Sequence, residues 1–401
     1  MQSENEWQSA AAYSKFVFVM YSLFMAGYFF FPQAPEHYKF YYYFVLIPSF
    51  GLWPDVIRSL RGNTLFLLLM SYILYMVASS FWSPEFEWGA FMEVAWHGFL
   101  VASFIVITAA LRDRFPANYD RMLRLLVFVA AVAGVVSIVL WYGNHPFPVS
   151  RMKPAGRMEW EIRAAGVYGF FWLLSLHFFL ESRERIRWGY LLAGLPLFLT
   201  VMFTQTRTAL IAMAVAGLVL SLRRNYRAVL GFGILAASMF LLFPDLWRRI
   251  MRGMAHRVPI WAAAFDQAKE HWMFGNGYLC DTSVIAGGEN FLHAHDMYIA
   301  TFRDGGVIGL GLLTAAIAVA VLWSVYLNRC CRYVLYPALL IYLFLYSIPN
   351  PDRLFTRPRE QWLFIWLPLI LVMADYARCR QGNRAPLPAP RPVMVSGEAS
   401  G

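Results

Sequence analysis

The sequence predicts an all-α polytopic integral membrane protein with about twelve transmembrane helices. Of its 401 residues, 59% are hydrophobic and only 14% are charged, whereas an ordinary globular domain carries about 25% charged residues. A spanning helix needs about 20 mainly apolar residues, and runs of this kind recur along the whole chain. Basic residues collect in the short segments between the runs. This composition excludes a soluble enzyme.

The apolar runs are separated by charged residues, Pro or Gly, and each run predicts one span. The predicted spans are 14–31, 38–54, 64–82, 88–111, 123–142, 165–180, 188–204, 208–222, 228–244, 302–327, 333–349 and 360–377. The stretch from Trp188 to Leu222 is nearly twice a span in length and carries Arg207 near its middle. We therefore interpret it as two helices joined by a tight turn.

The runs form one membrane domain over residues 1–377, and residues 378–401 form a basic, Pro-rich tail that we expect to be disordered. The polar and acidic start lacks the features of a signal peptide, so we expect the first span to be retained. The four cysteines show no CxxC or Cys/His metal spacing, and no structural disulfide is expected.

Basic residues in short loops set the orientation, because such loops are favoured on the cytoplasmic side. With twelve spans the following residues share one face: Arg58, Arg61, Arg112, Arg114, Arg121, Arg124, Arg183, Arg185, Arg187, Arg223, Arg224, Arg227, Arg329, Arg332 and the tail from Arg378. That face, with both termini, is predicted to be cytoplasmic. The longer connections 143–164, 245–301 and 350–359 then lie on the opposite face beside Arg207.

The outer face also carries basic residues, although the same rule disfavours them there. Thirteen are expected on it: Arg151, Lys153, Arg157, Arg163, Arg207, Arg248, Arg249, Arg252, Arg257, Arg303, Arg353, Arg357 and Arg359. Guanidinium groups suit phosphate oxygens, so the set points to a phosphate or diphosphate ligand. Lipid headgroups are the simpler alternative for any single residue. We attribute the net charge of +10 to topology and anionic lipids rather than to nucleic acid.

Two of these arginines are the strongest candidates for a functional role. Arg207 stands between two apolar runs with only Thr and Gln as polar neighbours, where an ionisable side chain suggests function; the alternative is an Arg that reaches the interface from a short hairpin. Arg257 precedes a segment from Pro259 whose apolar residues recur at helical spacing. This segment of the large loop 245–301 predicts an amphipathic helix that lies on the membrane or against the bundle.

The segment HAHD, with His293, His295 and Asp296, precedes the span at 302–327. A neutral His there can act as a general base beside a diphosphate. A structural His pair at the start of the span is a second interpretation. A metal site is a third, although two His and one Asp so close together make a poor tetrahedral set. Asp296 can cap the helix or orient a His. The following RDGGVIGLG predicts a close-packed helix start rather than a phosphate loop.

Taken in order on one face, these motifs resemble the O-antigen ligase and polymerase superfamily. The motifs are TQTRTAL, RVPIW, FGNGY and HAHDMYIATFRDGGVIGLG, and the match covers roughly residues 160–325. The resemblance implies a GT-C-like glycosyltransferase of the bacterial inner membrane, with a periplasmic active site and no metal or other cofactor. Its donor would be a polysaccharide on undecaprenyl diphosphate, and its acceptor a sugar hydroxyl of lipid A core.

The resemblance also implies roles for residues. Arg207 and Arg257 would hold the diphosphate, and His295 would take the proton from the acceptor hydroxyl, although His293 remains open as the base. The further candidates for substrate binding are Arg163, His293, Asp296, Tyr298 and Arg303. Within the superfamily, the alternatives are an O-antigen polymerase and a ligase that places glycans on protein. A transporter of an anionic lipid or solute is the alternative of another class.

Overall fold

The computed structural model describes residues 2–158, 160–182, 185–222, 257–294, 296–331, 333–348, 350, 353–380 and 382. Four features expected from the sequence lie outside this part of the chain. They are the span at 228–244, the first part of the loop 245–301, His295 and the tail from residue 383.

Within these residues the chain is mostly helical. The helices are α1 (Gln2–Phe30), α2 (Ala34–Phe40), α3 (Ile47–Ser49), α4 (Trp53–Leu60), α5 (Thr64–Ser79), α6 (Trp88–Arg114), α7 (Pro116–Tyr142), α8 (Glu161–Glu181), α9 (Ile186–Phe203), α10 (Arg207–Leu222), α11 (Arg257–Lys269), α12 (Met297–Cys331), α13 (Leu335–Ser347) and α14 (Leu367–Arg380). Short π-helical segments, Tyr41–Leu46 and Trp362–Trp366, follow α2 and precede α14; 3₁₀ turns, Phe50–Leu52 and Ser80–Trp82, follow α3 and α5.

Eight helical segments of the described chain are long and apolar enough to cross a membrane: Ala12–Phe30, Thr64–Trp82, Trp88–Arg114, Pro116–Tyr142, Glu161–Glu181, Ile186–Phe203, Met297–Cys331 and Trp362–Arg380. The apolar helices α10 and α13 are shorter. The run at 38–54 is a succession of short helical pieces containing Pro48, which cannot donate to the helical hydrogen-bond ladder. The structure therefore confirms a multi-pass helical membrane protein.

Three helices form the centre of the bundle, since most residues of α6, α8 and the segment ending in α14 are buried. The other spanning segments bury less than half of their residues, and their outer faces carry exposed apolar side chains. Such faces suit a lipid environment, where apolar surface costs nothing.

One end of the bundle is tied together by a buried ion-pair network, and we call it the basic-loop end. Arg112, at the end of α6, donates to Asp375 on α14 at 2.8 Å and to Asp120 on α7 at 2.5 Å. The hydroxyl of Tyr336 on α13 also donates to Asp375. The network fixes four helices at the end where the sequence places its short basic loops.

The opposite end, called the long-loop end, gathers the longer connections. The amide of Met152 donates to the carbonyl of Phe203 at 2.9 Å, joining the 143–160 connection to the end of α9. The amide of Arg157 donates to the carbonyl of Phe31 at 3.0 Å, joining the same connection to the end of α1. The candidate site residues that the structure describes lie at this end.

The expectation of an all-α fold needs one correction. Residues Val284–Ala286 and Glu289–Phe291 form a two-stranded antiparallel hairpin in the long-loop region. Gly287 and Gly288, at its turn, both have positive φ, of 61° and 83°. Two consecutive positive φ values match the twist of a hairpin and favour Gly, which has no Cβ.

Candidate functional site

Arg207 is the first residue of α10 and directly follows a tight turn at the long-loop end. Gln205, inside the turn, has a positive φ of 54°, and its side-chain amide donates to the carbonyl of Val149 at 3.1 Å. The interpretation of two helices joined by a turn is thus confirmed. A cation at a helix N-terminus opposes the helix dipole. The position of Arg207 therefore costs stability unless an anion interacts with it.

Arg257 is a close electrostatic neighbour of Arg207. It is the first residue described after the gap at 223–256, and from it the chain is helical to Lys269. Burial, followed by the positive charge of Arg207, lowers the pKa of Arg257 below its usual value, and Arg151 adds to the effect. Two guanidinium groups are thus held where they repel each other, and a bound anion relieves that repulsion.

Arg163 joins these residues through Tyr346 on α13. The phenol of Tyr346 interacts electrostatically with both Arg163 and Arg257, and its hydroxyl donates to the carbonyl of Ile162. The Arg163 guanidinium carbon also lies 5.8 Å from the ring centroid of Trp160. Tyr346 is thus a neighbour of Arg163 and Arg257, and Arg257 is a neighbour of Arg207. Arg163, Arg207 and Arg257, which are far apart in sequence, are here named the arginine cluster.

The HAHD segment leads into α12. His293 is half-buried, and His295 lies outside the described residues. Asp296 is buried, and its Oδ1 accepts hydrogen bonds from the amides of Tyr298 at 2.8 Å and Ile299 at 2.9 Å. Of the two roles that the sequence left open for Asp296, the structure therefore shows the helix cap.

Tyr298 stands in the first turn of α12. Its ring lies 5.9 Å from that of Phe344 on α13, measured between centroids. Among the residues that the structure describes, none accepts or donates a hydrogen bond to the Tyr298 hydroxyl, although the oxygen is buried. A buried hydroxyl of this kind is available to a ligand.

Arg303 belongs to a buried network one turn further along α12. Its Nε donates to Oδ1 of Asp304 at 2.7 Å, and Arg353 donates to Oδ2 of the same carboxylate at 3.1 Å. The thiol of Cys280 lies 3.3 Å from Oδ1 of Asp304. Burial, and then the charge of Asp304, raise the pKa of this thiol to about 12. The network links α12 to the chain segments on both sides of it.

Several of the outer basic residues are held by carboxylates that the sequence does not pair with them. Arg157 is buried and contacts His37 and, at 3.3 Å, Glu360. Arg151 lies 3.1 Å from Glu161. Because Arg157 and Arg151 have partners inside the protein, fewer than thirteen of the outer basic residues remain candidates for binding an anion. Arg248, Arg249 and Arg252 lie outside the described residues.

The motifs FGNGY and RDGGV dock against each other through their main chains. The amide of Asn276 donates to the carbonyl of Arg303 at 2.8 Å, and the amide of Gly277 donates to that of Asp304 at 2.9 Å. A break in α12 at Gly306, with φ 61°, frees these carbonyls. RDGGV is therefore the close-packed start of the part of α12 that follows the break, as its small residues predict, and FGNGY packs against it.

Metal coordination has no evident location in the part of the chain that is described. Among those residues, no three His, Cys, Asp or Glu side chains converge in a way that would hold a metal ion.

Fold and site together define a multi-pass helical membrane protein that gathers arginine side chains at one end of its bundle. Residues 191–314 match the family model described as O-Antigen ligase, and this range includes Arg207, Arg257 and the HAHD segment. The chain is also 26% identical to an O-antigen ligase of Pseudomonas aeruginosa over 372 residues, covering 89% of each chain. The chain therefore contains a region similar to the O-antigen ligase family, which confirms the resemblance drawn from the sequence. An O-antigen ligase is a glycosyl-transferring membrane enzyme of lipopolysaccharide biosynthesis.

Proposed function

We propose that this protein is an O-antigen ligase that transfers polysaccharide from undecaprenyl diphosphate to a sugar hydroxyl of lipid A core. One observation carries the proposal: Arg207 and Arg257, both inside the region that matches the family model, are electrostatic neighbours at one end of the bundle. Guanidinium groups form strong charge-assisted hydrogen bonds with the oxygens of a diphosphate.

The arginine pair acts on the leaving group. As the bond between the anomeric carbon and the diphosphate oxygen breaks, negative charge grows on that oxygen, and fixed guanidinium groups stabilise it without a metal. Arg163 extends the cluster around Tyr346. The half-buried position of Arg257 strengthens the interaction, because a partly desolvated charge is less screened by water.

The HAHD segment supplies the base. The acceptor hydroxyl oxygen forms its new bond to the anomeric carbon from the face opposite the diphosphate, so the configuration inverts. His295 takes the hydroxyl proton, and His293 assists or replaces it. The cap made by Asp296 fixes this segment on α12. Tyr298 contacts the substrate. Arg303 contributes to the structure of the site through its ion pair with Asp304.

For the topology we propose the arrangement that the sequence predicts. Residues 1–377 form one GT-C-like catalytic domain with twelve spans in the bacterial inner membrane, with both termini and the tail 378–401 cytoplasmic. The long-loop end, which includes the loop 245–301, faces the periplasm. Anionic lipids contact the basic-loop end, since Arg and Lys near the membrane surface attract them.

A lipopolysaccharide gel tests the proposal in a host that makes O-antigen. The gene deletion is complemented with the wild type, Arg207→Ala, Arg257→Ala, His295→Ala and, as a charge-matched control, Arg58→Ala, all at equal membrane abundance. Arg58 is exposed and lies 3.9 Å from Asp55. We expect the deletion and the three site variants to leave core without any O-antigen while lipid-linked polymer accumulates, and Arg58→Ala to restore the ladder.

Other outcomes identify the alternatives. A single repeat unit on the core in the deletion strain indicates a polymerase. An unchanged ladder in the deletion strain contradicts ligation of this substrate and favours a transporter.

A further inference from the structure

A second candidate binding site lies beside the arginine cluster. A cavity of about 240 Å³ opens at the long-loop end between α2, the π-helical segment after it and α6. Its lining residues are Pro35, Tyr38, Lys39, Tyr42, Trp96 and Arg357. It is smaller than the roughly 300–1,000 Å³ of sites for drug-sized ligands. The cavity therefore suits one ring-sized group rather than an oligosaccharide.

The lining combines aromatic faces with cations. The rings of Tyr42 and Trp96 meet edge to face with centroids 5.7 Å apart. Arg357 lies 3.4 Å from Glu93 on α6, and it interacts electrostatically with Tyr42. Aromatic faces pack against the C–H faces of a sugar ring, while Arg and Lys bind an acidic substituent. The chemistry selects a sugar that carries a phosphate or a carboxylate.

Tyr38 connects this cavity to the arginine cluster. Its ring centroid lies 5.5 Å from the guanidinium carbon of Arg157. Tyr38 also interacts electrostatically with Arg163, a member of the arginine cluster. Tyr38 thus borders the cavity and also interacts with a residue of the proposed diphosphate site.

The surface beside the cavity indicates that the ligand is anchored in the membrane. Tyr43, Phe44 and Ile47 follow the lining residues on the same helical stretch, and all three are exposed. Exposed apolar side chains on a helical stretch at the bundle surface suit acyl chains. A molecule that places acyl chains against this apolar face and an acidic sugar in the cavity is complementary to both surfaces.

We infer that the cavity binds one acidic sugar residue of the membrane-anchored acceptor glycolipid, with its ring against Tyr42 and Trp96 and its acidic group on Lys39 and Arg357. This inference rests on the proposed ligase function and assigns part of its acceptor site. An ordinary phospholipid shares the charge and the acyl chains but lacks the sugar ring. The three aromatic residues therefore favour the glycolipid.

Steady-state kinetics with the purified full-length protein in nanodiscs test the inference. The substrates are lipid-linked polysaccharide and rough-core lipopolysaccharide, each varied at saturation of the other. We compare the wild type with Arg357→Gln, Trp96→Ala and Trp96→Phe. Hydrogen bonds to charged groups contribute about 1.5–3 kcal/mol, so Arg357→Gln is expected to raise the KM for the acceptor about tenfold or more. The KM for the donor stays within about twofold.

Trp96→Ala is expected to raise the same KM, and Trp96→Phe to recover most of the loss, because it keeps an aromatic face. The control Arg58→Gln removes one charge at the basic-loop end and leaves both KM values unchanged. A rise in the donor KM instead, or no change in the acceptor KM, overturns the inference while leaving the ligase function standing.

Equilibrium binding separates the glycolipid from a phospholipid and needs no turnover. Rough-core lipopolysaccharide and phosphatidylglycerol are titrated onto wild type and Arg357→Gln. We expect the substitution to weaken only the binding of lipopolysaccharide. Equal weakening of both ligands identifies a phospholipid headgroup site and overturns the inference. If the wild type transfers no polysaccharide, the proposed function fails, and this titration still decides whether the cavity binds the acidic sugar.

Discussion

The main chains of Gly275 and Gly306 are in direct contact with each other. A β-carbon on Gly275 would overlap the backbone of residues 304–306, and one on Gly306 would overlap the carbonyl of Met273 and the amide of Gly275. The amide of Val307 donates to the carbonyl of Trp272 at 2.8 Å across the same contact. The segment between α11 and the hairpin is thereby fixed on the broken start of α12, which also carries the HAHD segment.

Gly306→Ala should therefore destabilise the protein. The residue has a positive φ of 61° and no room for a methyl group, so we expect a loss of about 1–3 kcal/mol. Thermal unfolding of the purified protein in detergent measures it. Gly311→Ala in the same helix is the control, since a β-carbon there meets nothing within 4 Å. Equal unfolding temperatures for the two variants contradict the docking described here.

Asp304→Asn should be more damaging than most carboxylate changes in this protein. The buried carboxylate accepts from Arg303 and Arg353, and breaking a buried ion pair by removing one partner costs about 3–5 kcal/mol. Membrane abundance and thermal unfolding report the loss. Asp266→Asn removes an exposed pair with Lys269 and should change stability by less than about 1 kcal/mol. A mild effect of Asp304→Asn argues against a structural role for the network.

Much of the architecture is predictable from local sequence, because a long apolar run predicts a spanning helix. The turn before Arg207 is predictable for the same reason: one charge and four polar residues interrupt a stretch that is too long for one span. The Gly287–Gly288 hairpin is missed, since its strands are only three residues each and carry little periodic signal.

The partners of the outer arginines are not predictable from one sequence. Arg157 pairs with Glu360 and Arg353 pairs with Asp304, and neither pair is close along the chain. Judged by residue type alone, Arg157 and Arg303 are the same kind of candidate for anion binding as Arg207. Only the packed structure separates arginines that hold the fold together from those that are gathered in the arginine cluster. The sequence predicts a helix start at RDGGV, but the docking of RDGGV on FGNGY depends on tertiary contacts.

Cysteine labelling tests the orientation of the two ends. Cys330 is exposed at the end of α12, and Asn290 is exposed on the hairpin at the long-loop end. In intact cells with a permeable outer membrane, an impermeant maleimide should label Asn290→Cys and should label Cys330 only after the inner membrane is opened. Each residue is tested as the sole accessible cysteine. The reverse pattern shows that the long-loop end faces the cytoplasm.

The Cys280 thiol should resist alkylation until the protein unfolds. Its pKa is raised to about 12 by burial and by Asp304. At about pH 9 the folded state then holds roughly a thousandth of the thiol as thiolate, whereas an unfolded chain, with a pKa of about 8.5, holds most of it. Because the folded-state pKa is raised, the neutral thiol contributes stability below about pH 8.5 that is lost as the pH rises toward 12. Iodoacetamide labelling with and without denaturant, read by mass spectrometry, measures this. Equal labelling rates with and without denaturant would show that the Cys280 thiol is not buried in the folded protein.

The most direct test of the central claim is the affinity of the purified protein for undecaprenyl diphosphate. Arg207→Gln and Arg257→Gln should each weaken binding about tenfold or more, since a hydrogen bond to a charged group contributes about 1.5–3 kcal/mol. Binding of undecaprenol, which has no phosphate, should not change, and Arg58→Gln should bind undecaprenyl diphosphate as the wild type does. Unchanged affinity in both site variants would contradict the assignment of the arginine cluster to the diphosphate.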